Sequence, residues 1–173
     1  MLRTTTPREK KQALVKETVR RLCEKGSLVP DLIRPIIMVP IHKDLTIVIE
    51  WLMDVFGIRL SNGRSNDNRH DAMFYWGDKT TAALYQANWR EFTQNGFFSV
   101  RATTEDALVE LVKILREVGF DYVCPSYSDV DMRFSQLHEP WLGLTIRVTF
   151  WYNLPEDPGP PWDTTQSDSD DDE

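Results

Sequence analysis

Residues 36–60, IIMVPIHKDLTIVIEWLMDVFGIRL, decide the reading of this chain because they recur in altered form at residues 98–122. A shift of 62 places sets Asp44 on Asp106, Leu52 on Ile114, Met53 on Leu115, Phe56 on Val118, Gly57 on Gly119 and Leu60 on Tyr122. In both copies an apolar run, Ile36 to Ile41 or Phe97 to Val100, reads as a buried strand. An acidic residue in the next turn then opens a periodic segment that a glycine closes. Leu45, Val48, Ile49, Leu52, Met53 and Phe56 stand at helical spacing in the first copy. Ala107, Leu108, Leu111, Ile114, Leu115 and Val118 do so in the second, where Glu105, Glu110, Lys113, Arg116 and Glu117 fill the wet face. The doubled strand, helix, glycine, strand order points to a duplicated unit rather than to a solenoid.

Downstream of the first copy, SNGRSNDNRH at 61–70 is a turn-forming loop. Ala72 to Trp76 and Thr80 to Ala87 then read as strands joined at Gly77-Asp78-Lys79. The second copy is followed by strands at Asp121 to Pro125, Asp131 to Leu137 and Leu144 to Tyr152. The sequence therefore predicts an α+β fold: two tandem β-α-β-β-β units, 36–87 and 97–152, forming a curled, cup-shaped mixed sheet within a domain at 36–154. Upstream, residues 7–25 form an extra helix from Pro7 to the glycine at 26, with the apolar stripe Leu14, Val15, Val19, Leu22 and Cys23. Pro30 and Pro35 make 27–35 a linker, so 1–35 is a basic helical arm. Residues 155–173 read as a disordered acidic tail, too polar to bury enough apolar surface to order itself.

A chain of 173 residues, 41% hydrophobic and 11% aromatic, can enclose one core. No run reaches the roughly 18 apolar residues of a membrane helix, and MLRTTTPREKK lacks the apolar stretch of a signal peptide, which predicts the cytosol or nucleus. Cys23 and Cys124 are isolated, which excludes a zinc pattern or a disulfide framework. The net charge of -7 is unevenly spread. Residues 1–26 carry eight Lys and Arg against three Glu, whereas 155–173 carry eight acids and no base. No uniform basic footprint for nucleic acid results. The helix reads either as a basic arm for RNA, a membrane surface or nuclear import, or as a peripheral helix docked by its stripe. Ser167 and Ser169 among acids resemble acceptors for an acid-directed kinase, with a solubilising tail as the alternative.

The two units, opening as MVPIHKDLTIVIEWLMDVFGIRL and closing as FSQLHEPWLGLTIRVTFW, resemble the vicinal oxygen chelate superfamily of glyoxalase I, bleomycin- and fosfomycin-resistance proteins and extradiol dioxygenases. Asp44, Trp51, Phe56 and Gly57 match its helix signature. Glu139-Pro140-Trp141-Leu142-Gly143 echoes the turn before its last strand. The likeness covers residues 36–152. It implies strands curled around a cup and, in metal-dependent members, a divalent ion held by side chains of the first and last strands. Those positions fall near Ile37 and among Phe97, Ser99 and Val100, while Arg147 replaces the last-strand glutamate and only Gln86 keeps a donor. One amide beside a guanidinium does not hold a hard divalent ion, so neither a metal nor another cofactor is expected. His42, His70 and His138 share no ligand spacing and read as surface or turn histidines.

Alternation places Leu144, Ile146, Val148 and Phe150 under the helices and Thr145, Arg147, Thr149 and Trp151 toward the cup. By the same parity Phe98, Val100 and Ala102 pack beneath the second helix, and Ser99 and Arg101 face inward. Arg101 and Arg147, with Ser99, Gln86, Thr145 and Thr149, suit a carboxylate or phosphate on a small organic anion. The competing reading pairs both arginines with an inward acid such as Asp131, or fills the cup with Tyr75, Trp76 and Tyr85. His138 or Glu139 at the rim is the candidate proton-transfer group for isomerisation or cleavage, by analogy with the family. The alternative function is a non-enzymatic interaction protein that meets protein partners through the helical arm and acidic tail. A homodimer is left open.

Overall fold

The computed structural model describes residues 6–32, 36–40, 45–61, 72–76, 79–87 and 97–157, with backbone pairing alone at 36–40, 60–61, 72–74 and 79–87. His42, His70, Ser167 and Ser169 lie outside these residues, as does the Gly77-Asp78 turn.

Helix α1 (Pro7–Glu24) starts where Thr6 accepts the Glu9 N–H and Pro7 takes the first helical position, which needs no amide hydrogen. It ends on a left-handed glycine, Gly26. The Gly26 N–H returns to the Cys23 carbonyl and the Ser27 N–H to the Leu22 carbonyl, closing carbonyls that the helix leaves open. Val15, Val19 and Leu22 are buried, while Leu14, one step round the helix, stays exposed.

After this turn the chain departs from a simple linker. Leu28–Pro30 forms β1, antiparallel to β6 (Phe98–Ala102), with Leu28 opposite Ala102 and Pro30 opposite Val100. Three residues are too few to show an alternating pattern, and the pairing partner lies some 70 residues away. Proline is tolerated there because β1 is the outermost strand of its sheet.

Unit one runs β2 (Ile36–Pro40), α2 (Leu45–Phe56), β3 (Arg59–Ser61), β4 (Ala72–Trp76) and β5 (Lys79–Ala87). Unit two runs β6, α3 (Glu105–Glu117), β7 (Asp121–Ser128), β8 (Met132–Glu139) and β9 (Leu144–Trp151). Each forms its own mixed sheet, in the orders β2-β5-β4-β3 and β6-β9-β8-β7, with β1 added beside β6. In both, the first strand is parallel to the last, Ile36 lying opposite Ala83 and Phe98 opposite Ile146, and all other pairs are antiparallel. The duplicated α+β plan is thus present in strand order and direction. Gly57 and Gly119, 62 residues apart, both close their helices with positive φ.

Helices cover one face of the unit-two sheet. Phe98, Val100, Ala102, Leu144, Ile146 and Val148 are buried there against Leu108, Leu111 and Leu115 of α3. Val48, Leu52 and Phe56 of α2 and Val15, Val19 and Leu22 of α1 belong to the same cluster. Trp51 of α2 packs on Phe120 at 5.6 Å between centroids and Phe56 on Phe98 at 5.0 Å. Polar clamps hold α1 across both helices: Lys16 and Gln12 meet Asp54 of α2 at 2.7 and 2.8 Å, and Arg21 meets Glu110 of α3. Among the described residues no helix is long and apolar enough to cross a membrane.

Candidate functional site

With the helices on one face, the other face of the unit-two sheet carries the polar row of each strand. β9 contributes Thr145, Arg147, Thr149 and Trp151, β6 contributes Ser99 and Arg101, and β8 contributes Phe134, Gln136 and His138. The parallel register sets Ser99 beside Arg147 and Arg101 beside Thr149.

The centre of this face is a carboxylate. Asp31, which follows β1, is 1% exposed. Its Oδ2 accepts from the Ser99 hydroxyl and, at 2.9 Å, from the Thr149 hydroxyl. Its Oδ1 accepts from the Leu32 N–H at 2.8 Å and the Trp151 indole N–H at 3.1 Å. An isolated carboxylate buried in protein costs several kcal/mol, about what four such donors offset. Asp131, the acid suggested by strand parity, is exposed and offers its backbone carbonyl to Tyr152 and Asn153 instead.

Arg147 is held in place. Its Nε and Nη2 donate to Gln136 Oε1 at 3.0 and 2.8 Å, and its guanidinium lies over the Phe97 and Phe134 rings at 3.9 and 4.1 Å. Burial holds its pKa below the ordinary arginine value, with the charge of Asp31 acting in the opposite sense. Arg101 differs. Its Nε is buried with no hydrogen-bond partner, and among the described residues no other buried side-chain nitrogen or oxygen is left so.

His138 Nδ1 is 2.8 Å from Thr145 Oγ1 on this same face. Glu139, its neighbour in β8, points to the other face, because successive strand residues alternate. There its carboxylate accepts the Leu142 N–H within the turn to β9. The two proposed proton-transfer residues are therefore not brought together. Ser99, Arg101, Thr145, Arg147 and Thr149 are, and the side chain of Gln86 lies outside the described residues.

Glu139 instead lines a cleft of about 700 Å³ on the helical side, walled by Arg8, Lys11, Glu50, Trp51 and Trp141. Arg8 stacks over Trp141 at 3.3 Å from its centroid. Sequence reasoning missed this cleft, as it missed Asp31, because helix and turn residues meet there only through packing.

A divalent ion of the kind the resemblance implies does not fit this half of the cup. The last-strand position is a cation, Arg147, anchored by Gln136 and two rings, and among the described residues no three His, Cys, Asp or Glu side chains converge.

No family model matches the chain, and no curated protein does. Solved structures are similar to it at low identity. A glyoxalase/bleomycin resistance protein/dioxygenase family enzyme from Burkholderia phytofirmans PsJN is 16% identical, with 65% of this chain and 95% of that one covered and a TM-score of 0.41. Lactoylglutathione lyase from Agrobacterium tumefaciens is 13% identical over 66% and 92%, with a TM-score of 0.41. A mutant of the fosfomycin resistance protein FosX from Listeria monocytogenes, complexed with Mn(II) and a dihydroxypropylphosphonic acid, is 12% identical over 70% and 90%, with a TM-score of 0.43.

Proposed function

We propose that the chain binds a small organic anion on the concave face of unit two without a metal, with Arg101 as the anchoring cation and the Arg147 stack as its apolar wall. The observation that carries this reading is the buried, unpartnered Arg101 Nε. A buried donor left unsatisfied costs about 1–3 kcal/mol, which a carboxylate or phosphonate oxygen would recover. The guanidinium presents a planar fork suited to such an oxygen pair. On the same face, the Phe97 and Phe134 rings that stack on Arg147 favour an anion with an aromatic or other apolar body. Arg147 contributes mainly positive potential, because two of its nitrogens already serve Gln136. Proton transfer to a bound ligand, as isomerisation or cleavage would require, falls to His138, which shares the face and is oriented by Thr145.

Calorimetric titration with benzoate and phenylphosphonate tests the reading. Wild type should bind at least one of them, and Arg101→Gln should bind it at least tenfold more weakly, about 1.4 kcal/mol. Equal affinities for the two proteins would remove Arg101 from the site.

The helical-side cleft favours a second reading, an interaction protein that meets partners beside α1. Its walls combine Arg8, Lys11, Glu50 and Glu139 with two tryptophans, a composition suited to an aromatic peptide of mixed charge. A chain that binds neither anion but captures such a peptide, with loss on Trp141→Ala, would establish that reading instead.

A further inference from the structure

We propose that Asp31 is a tethered competitor: the Ser99, Thr149 and Trp151 donors form a carboxylate site that the chain fills with its own side chain. The inference rests on the anion-binding reading and concerns how that site is regulated.

These donors come from places far apart in the chain. Ser99 is 68 residues from Asp31, Thr149 is 118 and Trp151 is 120. Two hydroxyls and an indole N–H converging from two neighbouring strands complement a carboxylate independently of which molecule carries it. They stand in the rungs of the two arginines, since Ser99 is the register partner of Arg147 and Thr149 that of Arg101. A carboxylate in this position is therefore drawn in by both hydrogen bonds and charge.

Asp31 belongs to neither repeated unit. It is delivered by a strap, residues 27–32, whose near end is fixed at Thr103 and whose far end carries the carboxylate. At the near end the Thr103 N–H donates to the Ser27 carbonyl and the Thr103 hydroxyl to that of Gly26, both at 2.9 Å. Between lies β1, three residues paired on one side only. Withdrawal of Asp31 needs that short edge strand to loosen from β6 and leaves the pairings among β6, β9, β8 and β7 in place. While it stays, an external carboxylate reaches Arg101 alone. When it leaves, the hydroxyls and the indole become available, so apparent affinity is reduced by the fraction of time Asp31 is bound. Tethering gives the internal carboxylate an effective concentration in the millimolar range or above, enough to exclude weak free acids.

Acetate, small enough to replace the side chain, is the probe. Asp31→Ala should gain thermal stability with rising acetate beyond the effect of sodium chloride at equal ionic strength, and wild type should not. It should also bind benzoate at least tenfold more tightly than wild type does. Adding Ser99→Ala and Thr149→Val to Asp31→Ala should abolish the acetate gain. Where Asp31→Ala is unfolded in chloride, acetate-dependent recovery of the near-ultraviolet circular dichroism reads the same site. No specific acetate effect on Asp31→Ala in either readout overturns the proposal. Arg101-dependent benzoate binding by wild type, combined with that negative result, would leave the anion-binding reading standing. Benzoate binding by Asp31→Ala alone would do the reverse.

Discussion

Cys23 shows how little a single residue reveals before its surroundings are known. Its place on the α1 stripe marks it as a small apolar group, and packing on the core pushes its thiol up to about 11 from an ordinary 9.0. The folded state thus prefers the neutral thiol. That preference is fully present below pH 9 and is lost as pH rises through about 11. Iodoacetamide at pH 8 should modify Cys23 far more slowly in the native protein than in the urea-unfolded chain, as peptide mass mapping would record. Equal rates would mean that α1 does not hold the thiol against the core. The arginines divide similarly. Strand alternation alone placed Arg101 and Arg147 on the concave face, yet only the fold shows that Arg147 is engaged by Gln136 while Arg101 Nε is not.

Elements carry the next level. The pattern of α1 marked a helix with an apolar stripe and many cations, which fits a docked helix and a basic arm equally well. Packing shows the helix docked: Lys16 and Arg21 cross to carboxylates of neighbouring helices, and Arg20 pairs with Glu17 and Glu24 on its own. The pairs are exposed, so solvent screening keeps the contribution of each small. Asp54 nevertheless titrates below its ordinary 3.8, chiefly through its hydrogen bond from Lys16. A depressed folded pKa means stability that is present above the unfolded value and lost as pH falls through the folded one. Urea melts of Asp54→Asn and wild type should therefore differ at pH 6 and converge as the pH falls below 3.8, and the difference should shrink in 1 M salt. A difference independent of pH would assign the effect to packing. The strand β1, by contrast, had no legible signal, since its three residues acquire their structure from β6.

Across the whole molecule, the two repeats are joined by aromatic contacts as well as by the shared helical layer. Phe56 of unit one touches Phe98 of unit two and Trp76 of its own unit. Phe56→Ala should cost about 3–5 kcal/mol and should lower hydrogen-exchange protection in α3 as well as α2, because one core serves both. Protection lost in α2 alone would mean that the units unfold separately. The duplicated order of strands and helices, the capping glycines and the division of β6 and β9 into a core face and a polar face were determined by the sequence itself, since they depend on local periodicity and turn chemistry. Which polar side chains meet was decided only by the tertiary structure. Asp31 reaches Thr149 and Trp151 across more than a hundred residues, and nothing in the spacing of a chain records a contact made when an edge strand pairs with a distant sheet.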